Sequence, residues 1–218
     1  IGGVRQRESG NWISGVFLSN TQTDDANLGL EWQSSDAGGT WVASYSVYNG
    51  VSESAQVRSH YTLGRAAVQR NQVLSDGLTL RASMSLQHTS EAVLPSSEQF
   101  FIGGEGSVRG YASGTFSGDE GTAFSVELHH RLAPAGTQAL GRLLTASGFF
   151  FVESARVQPF LPPDSILPKN ESLTSLGWGL DAALGDSLNG RMTLAYGLRR
   201  LVPAQKRIKL NLQLSSQF

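Results

Sequence analysis

The chain has 218 residues, a formal net charge of −1, 16% charged residues and no cysteine. A near-neutral balance excludes the basic face that nucleic acid requires, and the lack of cysteine excludes disulfides, zinc–thiolate sites and thiol catalysis together. With 25 glycines, 39% hydrophobic residues and no apolar run near the roughly 18 residues of a transmembrane helix, the composition fits one large all-β domain or part of one. A membrane barrel has this composition too, because its lumen-facing polar residues alternate with lipid-facing apolar ones.

The chain begins at Ile1 with neither an initiator Met nor a signal-like apolar stretch, so an exported protein with this sequence is expected to be a fragment cut at its N-terminus. Residues 12–19, 27–34 and 40–48 read as short strands separated by Asn, Asp and Gly turns. Trp12, Trp32, Trp41, Tyr45 and Tyr48 are placed near strand ends. That position fits an aromatic girdle at a membrane interface and equally the ordinary aromatic enrichment of strands. Residues 56–70 form a longer, more polar strand, with the turn at 71–77. Residues 78–88 alternate cleanly, with Leu78, Leu80, Ala82, Met84 and Leu86 on one face and Thr79, Arg81, Ser83, Ser85 and Gln87 on the other.

Further strands are expected at 122–132, 143–157, 173–184, 188–200 and 207–218, giving about ten. Pro159, Pro162, Pro163 and Pro168 exclude a central strand from 158–172, which reads as a long loop. The tight hairpin at Gly185-Asp186-Ser187 contrasts with long loops at 89–121 and 158–172, the end-to-end asymmetry of an outer-membrane barrel. The last three strands set a continuous Leu face against Gly, Ser, Thr, Asn and Gln. Such a face aggregates unless lipid or a second sheet covers it, so a soluble β-sandwich remains open on pattern alone.

The stretch from Leu94 to Gly121, LPSSEQFFIGGEGSVRGYASGTFSGDEG, is too long and too rich in Gly and Ser for a helix or a strand. It holds a buried-looking pair, Phe100-Phe101, and an arginine in Val108-Arg109-Gly110-Tyr111. Long ordered loops between strands are usually functional. Competing chemistry is weak. Gly104-Glu105-Gly106-Ser107 lacks the helix and lysine of a phosphate loop. His129 and His130 point to opposite faces of a strand, His60 and His88 are isolated, and no Gly-x-Ser-x-Gly elbow is present. No catalytic residue, metal or cofactor is expected. Asp119 and Glu120 read as solvated turn residues.

The run from Ser96 to Gly104, then Ser107 to Tyr111, then Ser117 to Gly121, resembles the signature of the two-partner-secretion transporters (TpsB, the haemolysin-activator family). Ser125-Val126-Glu127-Leu128, the strand from Phe149 to Val157, Ser175 to Leu180 and the terminal Phe218 extend the resemblance over essentially the whole chain. It implies an antiparallel transmembrane β-barrel, of which residues 1–218 supply about the last ten of sixteen strands. The signal peptide, an N-terminal plug helix, the POTRA domains and the first strands would lie upstream.

The resemblance further implies that the loop with Gly103, Gly104, Val108, Arg109, Gly110 and Tyr111 folds back into the lumen as a conformational element. Arg109 would meet an acid of a second motif, placed here at Glu153, where Glu replaces the usual Asp and Ala155 stands where Gly is common. Gly103, Gly104, Gly106 and Gly110 would allow the tight backbone path. Phe218 would end the strand read by the barrel-assembly machinery. The implied setting is the bacterial outer membrane, with lipid and a TpsA-like secreted exoprotein as partners. An insertase of the same superfamily and a non-transporting surface barrel, an adhesin or antigen, are the alternatives.

Overall fold

The structure, a computed structural model, describes residues 2–13, 16–54, 57–90, 94–161, 164–166, 168–185, 187–202 and 206–216. Its strands are β1 (Gly2–Ile13), β2 (Val16–Asp36), β3 (Gly39–Ser54), β4 (Val57–Ser75), β5 (Leu78–Thr89), β6 (Phe100–Ile102), β7 (Phe116–Gly118), β8 (Glu120–Arg131), β9 (Gln138–Ala139), β10 (Arg142–Gln158), β11 (Glu171–Leu184), β12 (Leu188–Gly197) and β13 (Ile208–Ser216). Ten long strands make one antiparallel meander in the order β1-β2-β3-β4-β5-β8-β10-β11-β12-β13, and β9 adds a short pairing to β10. Among the described residues the sheet is not closed: β1 pairs with β2 alone, and β13 with β12 alone. Between β5 and β8 the chain forms a 3-10 turn at Ser96–Glu98 and the small hairpin β6–β7.

Strand alternation sorts the side chains as the sequence requires. Ile208, Leu210, Leu212 and Leu214 of β13 are exposed on one face, as are Leu176 and Trp178 of β11 and Phe150 and Val152 of β10. On the opposite face Glu153, Ser175, Thr193 and Ala195 are buried. The loop between β5 and β8 lies on this second face. It is reached from both edges of the sheet, by Arg5 of β1, whose Nη2 lies 3.1 Å from Glu98 Oε1, and by Lys209 of β13, whose Nζ donates to the Tyr111 carbonyl at 2.9 Å. Nine strand spacings laid flat would hold those edges roughly 43 Å apart; one compact loop touching both makes the covered face concave.

The connections at 90–119, 159–170 and 198–207 fall at one end of the meander and those at 37–38, 76–77, 132–141 and 185–187 at the other, so the two longest share an end. Several expectations need correction. Residues 12–19 are not one strand: β1 ends at Ile13 and β2 starts at Val16, and residues 2–11 and 16–26 are extended. Their Asn, Asp and Gln composition masks strand propensity. The expected turn at 71–77 shrinks to 76–77, because the pairing of β4 with β5 continues to Ser75. Tyr48 does not join an outward girdle. It faces the concave side beneath the guanidinium groups of Arg5 and Arg65, whereas Trp32, Trp41 and Tyr45 are exposed. Phe101 is exposed, since β6 turns alternate side chains to opposite sides. The Trp12 side chain and Phe218 lie outside the described set.

Candidate functional site

The loop is built from its glycines inward. Gly103 and Gly104 hold φ of 103° and 89°, values that L side chains rarely adopt. They begin a tight turn closed by Gly103 N–H donating to Ser107 Oγ (2.8 Å) and Gly104 N–H to the Val108 carbonyl (3.1 Å). Ile102, Val108 and Tyr111 then pack on Ala123 of β8, Ala155 and Val157 of β10 and Leu173 of β11, forming an apolar core between loop and wall. This burial stabilises the loop and leaves its polar groups to find partners within the wall.

Arg109 is the centre of that arrangement, with a side chain only 4% exposed. Its Nε donates to Glu153 Oε1 at 2.6 Å, its backbone N–H to Glu153 Oε2 at 2.8 Å, and its Nη2 to Glu127 Oε1 at 2.6 Å. The guanidinium plane lies over the Phe151 ring, 3.7 Å from its centroid. A planar fork satisfies two carboxylates and an aromatic face at once, which an ammonium does not. Glu127 Oε2 is bound in turn by His129 Nε2 (2.8 Å) and Arg191 Nη2 (3.3 Å). Ser175 Oγ donates to Glu153 Oε2 at 3.1 Å. Burial without such partners would be costly; with them the pairs fix position more than they add stability.

The neighbours of Arg109 continue the docking. A Cβ on Gly110 would stand 2.8 Å from both the Gly197 nitrogen and the Ser175 Cβ, so only glycine lets the loop backbone lie against the wall. Tyr111 Oη donates to the Thr174 carbonyl (3.2 Å) and accepts from Arg199 N–H (2.8 Å), tying the loop to the start of the 198–207 connection. Gly110→Ala is expected to unseat this contact at a cost of about 1–3 kcal/mol. The check is the unfolding midpoint of the barrel in urea, where an unchanged midpoint would show that the slot has slack.

Gly103, Gly104, Val108, Arg109, Gly110 and Tyr111 therefore converge in one loop, with Glu153 against Arg109, while Phe218 falls outside the described residues. Glu127, Arg191, Ser175 and Gly197 were not singled out for a role. The available signal for Glu127 was its parity: an acid on the Ser125–His129 face of β8, which the alternation turns inward. Asp119, expected to be solvated, is 1% exposed. Its Oδ1 accepts from Leu94 N–H (2.6 Å) and its Oδ2 from Phe160 N–H (2.7 Å), so it staples both ends of the loop and the next connection together. Glu120 forms an ion pair with His88. Among the described residues no cluster of three metal-ligating side chains occurs.

This arrangement has relatives. The family model for the haemolysin secretion/activation proteins ShlB/FhaC/HecB matches residues 2–146, well over half of the chain. The chain belongs to this family. The family is one of secretion by the two-partner route, not an enzyme class. Among solved structures, CdiB from Escherichia coli is similar over 99% of this chain, with a TM-score of 0.81 and 19% identity. CdiB from Acinetobacter baumannii is similar over 99%, with a TM-score of 0.53 and 18% identity. The chain spans 41% and 46% of those two proteins, and at such identities the likeness is one of fold. A comparison with curated proteins found no match.

Proposed function

We propose that residues 1–218 are the C-terminal barrel part of an outer-membrane transporter that passes a partner exoprotein of TpsA type out of a Gram-negative cell. The supporting observation is the buried docking of Arg109 on Glu153 and Glu127: a loop held inside a concave sheet by charged pairs is positioned to occupy a pore. No ATP is present in the periplasm, so the free energy for export comes from the exoprotein folding outside. The end with the connections at 90–119, 159–170 and 198–207, which include the two longest, faces the exterior, and the end with 37–38, 76–77, 132–141 and 185–187 faces the periplasm. Lipid covers the Leu face of β11–β13, and the barrel-assembly machinery inserts the protein. POTRA domains and earlier strands of the same polypeptide would complete the barrel along β1 and β13, whose free edges cannot stand in hydrocarbon.

The full-length protein should fractionate with outer membranes and form conducting pores in planar bilayers; a soluble, non-conducting product would contradict the reading. Leu212, midway along β13 and 70% exposed, supplies a second check. Leu212→Arg is expected to cost about 2–4 kcal/mol of barrel stability, as an arginine does near the bilayer midplane. Unaltered urea unfolding in lipid would place this face in water instead.

A further inference from the structure

The loop makes a second set of charged contacts that shares no residue with the Arg109 site. Glu98 closes the 3-10 turn at the start of the loop, and its side chain is fully buried. Both its oxygens lie 3.1 Å from Arg5 Nη2 of β1, and Oε2 lies 3.1 Å from Arg65 Nη2 of β4. Arg5 is itself held by Asp25 of β2, with Nη2 at 2.6 Å and Nε at 2.9 Å from Oδ2. Tyr48 of β3 lies under both guanidinium groups, with ring centroids at 5.4 and 5.1 Å. Gln87 of β5 joins the cluster to the backbone: its Nε2 donates to the carbonyls of Glu98 (2.8 Å) and Asp119 (3.1 Å), and its Oε1 accepts from Arg65 Nε (2.9 Å).

The two sites differ in height and in wall. Gln87 lies level with Gly121 in the register of β5 with β8, and Glu153 is level with Ser125. Four residues of β8 separate them, roughly 13 Å along the strand. The Glu98 cluster uses β1 to β5 at the end where the loop enters, and the Arg109 cluster uses β8 to β12 deeper in. Glu98 stands beside Asp119, which already pins Leu94 and Phe160. Base and tip are thus fastened separately, on opposite halves of the sheet.

We propose that Glu98, clamped by Arg5 and Arg65, is the positioning residue that keeps the loop inside the barrel, while Arg109 sets only where its tip rests. Removing the tip contact leaves the loop lying on the concave face by its base; removing the base contact lets the whole segment lift toward the exterior end. The inference rests on the proposed reading of this chain as a secretion pore with long connections outside.

The test uses the full-length protein in intact cells and a reporter at Gly106, where an added Cβ meets nothing within 4 Å. The 218 residues contain no cysteine, so Gly106→Cys gives this barrel part a single thiol. The probe is a polyethylene-glycol maleimide too bulky to enter the lumen, added outside. On the G106C background, E98Q is expected to label about tenfold faster or more, the mark of a shifted equilibrium between seated and released loop, and R109A to stay near the parent rate. Heat-modifiable migration on gels reports that each barrel is folded. Should E98Q fail to fold, R65Q weakens the same clamp from the wall and is read instead. Slow labelling of the folded clamp variant overturns the proposal and reduces Glu98 to a packing contact. Fast labelling of R109A but not of the clamp variant overturns it in favour of Arg109 as the sole fastening. Either failure leaves the transport reading standing, since that is decided separately, by whether the full-length protein conducts in bilayers and exports its exoprotein.

Discussion

Arg109→Ala is expected to lower export of the partner exoprotein strongly while the barrel still inserts. The substitution removes a guanidinium that is bound to Glu153 and Glu127 and covers Phe151. Glu127 keeps Arg191 and His129, but Glu153 is left with only Ser175 and a backbone N–H. Stripping one partner from a buried pair costs about 3–5 kcal/mol; the surviving contacts place this variant at the lower end. The outward Leu face is untouched, so insertion is preserved. Arg109→Lys keeps the charge but loses the fork and should fall between the parent and Ala. Secreted exoprotein, set against the amount of heat-modifiable barrel, measures the effect. Parent-level export by Arg109→Ala would remove the loop tip from the mechanism.

Asp119→Ala is expected to be the most destabilising change in the loop. Each carboxylate oxygen accepts one backbone N–H, from the buried Leu94 and from the half-buried Phe160. Hydrogen bonds to a charged group are worth about 1.5–3 kcal/mol each; both would be lost, and the buried Leu94 N–H would be left unsatisfied. The sum is about 3–6 kcal/mol. Asp119→Asn keeps one acceptor and turns an NH2 toward a donor, so it should lose at least half as much. Urea unfolding of the purified barrel separates the three proteins. Equal midpoints for parent and Ala would mean that water reaches both amides.

The parts of the fold legible in the sequence were those where apolar and polar residues alternate without interruption. Leu78 to Leu86 and Ile208 to Leu214 each show which face is which, and β5, β10 and β13 lie within two residues of their expected limits. The same logic fails at the start of the chain. There β1 and β2 run through Gly, Asn, Asp, Thr and Gln, residues whose backbones join the antiparallel ladder but whose side chains leave no period-2 signal. The expected total of ten strands matches the ten long strands, although the first expected strand straddles the join between β1 and β2. The family itself was legible through one contiguous motif.

The site was legible only where that motif carried it. Arg109 and Glu153 are far apart in sequence and meet because the loop folds back, a feature that local pattern does not encode. Glu98 sat in full view within Ser-Ser-Glu-Gln, but its partners Arg5 and Arg65 lie on strands β1 and β4. Nothing in a single sequence says that those strands face it. Asp119 misled for a physical reason: an acid between glycines in a polar turn usually faces water, and here the turn is folded under the next connection.

The most direct test of the secretion reading compares the proteins outside cells that carry or lack the full-length gene. The account predicts that one large β-helical exoprotein disappears from the medium and surface of the deletion strain, is retained or degraded in the periplasm, and returns with the parent gene but only weakly with Arg109→Ala. An unchanged exterior proteome, with other outer-membrane barrels failing to assemble, would contradict it and point to an insertase.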